Sequence, residues 1–266
     1  MAPEPVQIAM SSRTGGRARN EDACGHWRSG PAATGDGAGP VCCVLADGAG
    51  GHGGGDVASQ TAVATVLEAF AADPGCDAAR IRRLIHLANE AVVAHQRPSD
   101  ATRDMRSTLV VWACDPGRAE AIWGHSGDSR LYGFRDGRVV AQTRDHSLYQ
   151  ALLDAGIADP SQLPGNPQRN VLIASLGSLD GFDPDVLAHP YRMEPGDAFL
   201  ICSDGFWDPV ADSDLEAALQ RADSPQAWID ELEQSIIRQD RAGQDNFSAI
   251  AIWFGTPDFR TRIAAA

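Results

Sequence analysis

The order of segments predicts an α+β fold, a four-layer α-β-β-α sandwich of two mixed, mostly antiparallel sheets flanked by helices. Strand-like and helix-like stretches come in blocks rather than in strict alternation, which disfavours a doubly wound parallel sheet. Residues 41–46, 198–202 and 247–254 are continuous apolar runs that read as buried strands. Residues 56–72 and 79–95 read as helices that pack on a sheet, the second with Ile81, Leu84, Ile85, Ala88, Ala91, Val92 and His95 on one stripe.

Taken in order, residues 6–12 form a first strand, and 41–46 a second that ends in a Gly-rich turn before the two helices. Runs at 108–114, 119–124, 130–134 and 138–142 are separated by Asp115-Pro116-Gly117, Ser126-Gly127-Asp128 and Asp136-Gly137, the pattern of an antiparallel meander. A short helix at 148–155 leads into a Pro- and Gly-rich loop at 159–169, and the whole 145–178 stretch reads as a flap. A strand at 185–192, the buried run 198–202, helices at 212–221 and 225–239, and the last strand 247–254 complete a single expected domain over 1–266.

Composition narrows the chemistry. The net charge of -14 repels nucleic acid and anionic membranes. All 22 basic residues are arginine, so lysine-dependent phosphate loops, kinase phosphate-binding lysines and Schiff-base mechanisms are excluded. The six cysteines show no CxxC pair and sit mostly in apolar runs, as buried thiols do. The seven histidines show no paired zinc spacing, and Trp112, Trp123, Trp228 and Trp253 read as core. Without an export signal or an apolar run near the roughly 18 residues of a membrane span, the expected location is the cytoplasm.

Asp-Gly occurs at positions 36, 47, 136, 180 and 204 and usually marks a turn, as expected of Asp136-Gly137. Asp47 and Asp204 differ, because each ends a buried apolar strand, and Asp245 begins another. Carboxylates so placed repel one another unless a cation neutralises them, and oxygen ligands select hard ions such as Mg2+ or Mn2+. The Gly-rich run 50–55, with His52, lacks the Lys-Ser/Thr of a phosphate loop and reads as a bend beside that site.

The motifs stand in an order that resembles the metal-dependent PPM family of phosphatases, the protein phosphatase 2C type, over nearly the whole chain. They are Gly16-Arg17-Ala18-Arg19-Asn20-Glu21-Asp22, Ala46-Asp47-Gly48-Ala49-Gly50-Gly51-His52, Ser107-Thr108, Gly127-Asp128-Ser129-Arg130, Asp145-His146-Ser147, Ser203-Asp204-Gly205-Phe206-Trp207-Asp208 and Gln244-Asp245-Asn246. The resemblance implies a bacterial protein serine/threonine phosphatase in which two Mn2+ or Mg2+ ions are bridged by Asp47. Asp204 and Asp245 complete the first ion, the Gly48 carbonyl serves the second, and Glu21 and Asp22 hold waters. Asp128, Asp204 and Asp208 match a looser third site, and Arg17 matches the arginine that grips phosphate. Ala49 stands where animal members carry a histidine proposed as general acid, which leaves a metal-bound water as the expected proton donor. Arg130 either braces the turn through Asp128 or serves the metal site, and His146 orders the flap root. The implied substrates are phosphoproteins of a bacterial serine/threonine kinase, with secretion-system regulation as one setting, acted on by a monomer. The alternative is a non-catalytic regulatory or phosphoprotein-binding relative, against which the full set of acids argues. A metal nuclease conflicts with the acidic charge.

Overall fold

A computed structural model describes residues 5–30, 39–49, 54–97, 102–158 and 171–257. One sheet holds, in spatial order, β1 (Val6–Arg13), β12 (Phe247–Phe254), β11 (Ala198–Cys202), β7 (Arg130–Arg135) and β8 (Arg138–Gln142). The other holds β10 (Tyr191–Arg192), β6 (Glu120–Ser126), β5 (Leu109–Asp115), β3 (Val41–Ala49) and β2 (Asp22–Arg28), with β4 (Arg106–Ser107) on β3 and β9 (Asp185–Val186) on β6. The strand pairs between described residues are antiparallel throughout, so the parallel component of a mixed sheet does not occur among them.

Side-chain alternation sorts each strand between two environments. Between the sheets lie Val41, Cys43, Leu45, Val110, Trp112, Leu131, Phe199, Ile201, Ile250 and Ile252. The opposite face of β3 and β5, with Val44 and Val111, packs under α1 (Gly55–Ala72) and α2 (Ala78–His95). The opposite face of the first sheet, with Leu200 and Trp253, packs under α5 (Asp212–Arg221) and α6 (Pro225–Arg238). The expected α-β-β-α order follows. Helix starts obey local chemistry: Asp77 caps α2 by accepting from Arg80 N at 2.9 Å, and Ser224 caps α6 with proline next in line.

Several expectations are corrected. The strand at 41–46 continues through Asp47 and Gly48 to Ala49, because β4 pairs with its end. The strand at 185–192 is two short strands on β6. β2 carries no strand signal of its own in the sequence, since its burial is partial and its apolar residues are few. Asp136 and Gly137 both take positive φ, 54° and 71°, in the hairpin expected there. The short flap helix, α3 (Leu148–Asp154), is present; residues 159–170 of the flap, and 50–53 with His52, lie outside the described residues.

Phe70 is fully buried and meets Trp27 edge-to-face at 5.5 Å, tying α1 to β2. Phe70→Ala is expected to cost about 3–5 kcal/mol in denaturant unfolding; a change under about 1 kcal/mol would show that this contact does not hold β2.

Candidate active site

At one end of the sandwich, inward-facing positions change from apolar to polar on strand after strand. Along β3, Leu45 is followed two residues later by Asp47; along β11, Ile201 by Ser203. Thr108 precedes Val110, Ser129 precedes Leu131, Ser248 precedes Ile250 and Asp22 precedes Cys24, each by the same two-residue step. The registers align these positions: Asp22 faces Asp47, and Ser203 N donates to Ser248 O at 3.1 Å. The cluster is therefore the polar continuation of the core.

Hydrogen bonds then hold the Asp22 carboxylate and the Asp47 backbone. Ser203 Oγ donates to Asp22 Oδ2 at 2.8 Å and accepts from Ser248 N at 3.0 Å. Asp22 Oδ1 is buried with no partner. Asp47 N donates to Thr108 Oγ1 at 2.9 Å, and Thr108 Oγ1 lies 2.7 Å from Ser129 Oγ. Asp204 opens the short helix α4 (Asp204–Trp207), so its Asp-Gly is a helix start rather than a turn. A Cβ on Gly205 would lie 2.1 Å from Asn246 O, and one on Gly48 2.0 Å from Gly55 O, so both positions need glycine.

Burial and mutual repulsion raise the carboxyl pKa values. Desolvation, then Asp22, Asp204, Asp128 and Asp245, pushes Asp47 well above the usual carboxylate range. Asp22 rises to about 6, chiefly by burial against the hydrogen bonds of Ser248 and Ser203. Asp128 rises to about 8 through burial and Asp204. Asp204 is raised by burial and Asp245, and Glu21 by burial and Asp56.

The peripheral residues are placed differently. Arg17, on the loop after β1, extends Nη2 to Asp245 Oδ2 at 2.6 Å. Asp208, at the end of α4, receives Arg241 Nη1 at 3.1 Å. Arg17, Asp204, Asp208, Arg241 and Asp245 line one cavity of about 300 Å³. Arg130 does not brace Asp128 directly. It forks onto Asp145 at 2.8 and 2.7 Å and stacks 3.4 Å over Trp207, whose Nε1 donates to Asp128 O at 3.0 Å.

Asn246 is the positioning residue that motif reading left without a role. Its Oδ1 accepts from Glu21 N at 2.8 Å, while Nδ2 donates to Thr14 O and Arg19 O at 2.8 and 2.9 Å, pinning the loop that carries Arg17. Its signal in the sequence was an amide directly before an apolar strand.

All these donors are oxygens, which suits hard divalent cations, and the orphaned Asp22 oxygen calls for a positive partner. Two bridged ions about 3.5–4 Å apart need ligands spread around the pair rather than converged on one point. Among the described residues, the trio that does converge within 4.8 Å is His125, His146 and Asp185. Three of its ring nitrogens have hydrogen-bond contacts: His125 Nε2 lies 2.8 Å from Arg144 O, Gly127 N donates to His146 Nδ1 at 3.3 Å, and His146 Nε2 lies 3.2 Å from Asp185. The two rings stack at 4.5 Å, and the trio orders the flap root as expected of His146.

Fold and site together define a β-sandwich protein with an acidic, all-oxygen centre between its sheets. The family model for protein phosphatase 2C matches residues 11–244, and the chain belongs to that family. The serine/threonine protein phosphatase PstP of Mycobacterium tuberculosis is 33% identical over 184 residues, 69% of this chain and 35% of the relative, so the match spans about a third of that protein. The catalytic domain of PstP in complex with two manganese ions is similar at TM-score 0.76 and 27% identity, covering 95% of this chain and 99% of that one. PppA, a key regulatory component of T6SS in Pseudomonas aeruginosa, is similar at TM-score 0.69 and 28% identity, covering 96% and 99%.

The raised carboxyl pKa values set a pH dependence. Between the unfolded value near 3.8 and the folded values of about 6 for Asp22 and about 8 for Asp128, the folded chain binds more protons than the unfolded one. Their contribution to metal-free stability therefore falls as pH rises through that window. The lowered pKa values of His26 and His125 act in the opposite sense, so the test is a difference: in chelator, the melting point of the wild type relative to that of Asp128→Asn is expected to fall between pH 5.5 and pH 7.5, and equal pH slopes in the two proteins would contradict the raised Asp128 pKa.

Proposed function

We propose that the chain is a metal-dependent protein serine/threonine phosphatase catalytic domain, hydrolysing phosphoserine and phosphothreonine in proteins. One observation carries the reading: Asp22, Asp47, Asp128 and Asp204 lie close enough to raise one another's pKa values at a mouth where Arg17 and Asp245 stand exposed together. Asp47 would bridge two divalent cations, Mn2+ or Mg2+, with Asp204 and Asp245 on the first and the Gly48 carbonyl on the second. Glu21 and Asp22 would act through waters, and Asp128, Asp204 and Asp208 would serve a third site, where Arg241 pairs with Asp208. When bound, the cations supply charge neutralisation and a water of lowered pKa for in-line attack on phosphorus.

The chain's own residues do the rest. Arg17 offers a planar fork to two phosphate oxygens, and its pairing with Asp245 keeps it poised over the acids meanwhile. Ser203 orients the Asp22 carboxylate and Asn246 fixes the Arg17 loop, so substrate meets groups already in place. Substrates are the phosphoproteins of a bacterial serine/threonine kinase; the similarity to PppA supports secretion-system regulation as one setting. The cytoplasm suits the six unpaired thiols, and no described helix is long and apolar enough to cross a membrane.

Chelation is expected to abolish turnover of a phosphothreonine peptide and Mn2+ or Mg2+ to restore it; full activity in excess chelator would overturn the metal-dependent reading, whereas no turnover with either ion would leave the non-catalytic alternative standing. Asp204→Asn should lose nearly all turnover, whereas Asp128→Asn should keep a measurable fraction with a weaker metal response, and equal mild losses would count against the ligand assignment.

Arg17→Ala is expected to lower kcat/KM by about 10- to 150-fold, since a charge-assisted hydrogen bond contributes roughly 1.5–3 kcal/mol, and lysine should not rescue it. Because Arg17 competes with cations for Asp245, manganese titration should show binding a few-fold tighter in Arg17→Ala. Wild-type kcat/KM in either variant would remove Arg17 from the site.

A further inference from the structure

A second groove, of about 670 Å³, lies beside the acidic mouth and is lined by Gln96, Arg103, Arg106, Gly177, Ser178 and Leu179, among others. Its floor is built rather than incidental. Asn89, on α2, accepts through Oδ1 from Gly177 N at 2.8 Å and Ser178 N at 3.1 Å, and donates through Nδ2 to Ser178 O at 2.9 Å. Gln96 Nε2 reaches Gly177 O at 3.0 Å and Met105 O at 3.2 Å, tying β4 to the end of the flap.

Arg106 stands on this floor without a partner. Its Nη1 is sealed from solvent and makes no hydrogen bond, and no bond or ion pair of its side chain occurs among the described residues. A Cβ on Gly177, whose φ is +89°, would come within 3.1 Å of Nη1, so glycine leaves the guanidinium its place. Arg106 is half-exposed and lines the groove without an ion-pair partner among the described residues, so its guanidinium is open to an oxyanion there. The other charges on the groove are Arg103, Asp104 and Asp180, all exposed and therefore screened by water and salt; Arg106 alone is half-buried.

Position supplies the link to the reaction. Arg106 is the register partner of Ala49, and Ser107 that of Gly48, so Arg106 sits two residues along β3 from Asp47 and one strand across. At about 3.3 Å per residue and about 5 Å between strands, its Cα is about 8–10 Å from that of Asp47. An extended peptide covers that distance in two or three residues.

We propose that Arg106 forms a specificity subsite that binds an oxyanion-bearing side chain, a carboxylate or a second phosphoryl group, two or three residues from the phosphoresidue being hydrolysed. The proposal rests on the phosphatase reading and adds a preference among phosphoproteins, for substrates acidic or multiply phosphorylated near the target. The prearranged floor means that little ordering is needed on binding.

The test uses the full chain with Mn2+ and a set of phosphothreonine peptides: one with neutral flanks, others with glutamate, arginine or a second phosphothreonine placed at each of three positions on either side. The wild type is expected to show kcat/KM about tenfold higher for glutamate or the second phosphate at one position than for the neutral peptide, the larger of the two gains identifying the oxyanion. In Arg106→Gln this ratio should fall to about one, and in Arg106→Glu the arginine peptide should become the preferred one. Should both lose their fold by thermal melting, Ser178→Asp, which places a carboxylate in the same groove, should also abolish the preference. Turnover without any positional preference in the wild type, or a preference that survives in Arg106→Gln or Ser178→Asp, overturns the subsite alone. No turnover of any peptide overturns the phosphatase reading and the subsite with it.

Discussion

Like charges gathered at the mouth of a buried sandwich are the constraint on which the rest of this structure depends. Asp22, Asp47, Asp128 and Asp204 raise one another's pKa values, and burial raises them further. Such a cluster exists only where the surrounding framework contributes more stability than the cluster removes. The framework is the continuous apolar interior between the sheets, with Trp112, Phe199, Ile201 and Ile252 fully or almost fully buried behind the acids.

Strand periodicity delivers Asp22 and Asp47 and the serines that surround them, while Asp128, Asp204 and Asp245 follow from the turns and helix start next to that repeat. A two-residue repeat that places Leu45, Ile201 and Ile250 in the core continues into Asp47, Ser203 and Ser248, so the same geometry that builds the core aims the polar groups. Close backbone approach then removes slack. Gly15, at φ +61°, lies where a Cβ would meet Asp245 O at 2.2 Å, and Gly16 N donates to Gln244 O at 2.8 Å. The Arg17 loop and the Asp245 strand start are thereby held as one unit, although they are 228 residues apart.

Arginine does all the cationic work in this chain, and its geometry decides which acids stay available. Arg130 is committed to Asp145 and Trp207, and Arg241 occupies Asp208, while the inner acids Asp22 and Asp47 have no arginine partner among the described residues. An acidic protein without lysine thus keeps rigid, planar cations at defined positions around a centre reserved for metal or substrate charge.

Much of this was legible in the amino-acid order. Continuous apolar runs in blocks with helical stretches point to the α-β-β-α class, and carboxylates at the ends of the buried runs 41–46, 198–202 and 247–254 single out Asp47, Asp204 and Asp245 as candidate site acids. These are local signals, carried by residues near one another in the chain. The partnerships were not legible: that Asp22 faces Asp47, that Asn246 pins the Arg17 loop, that Arg241 takes Asp208, and that Arg106 is left unpaired beside Gly48. Each depends on strand register or loop closure between segments far apart, where a one-residue shift would send every side chain to the other face. Tertiary structure decided them because hydrogen-bond partners are chosen by distance in space, and local periodicity carries no information about that distance.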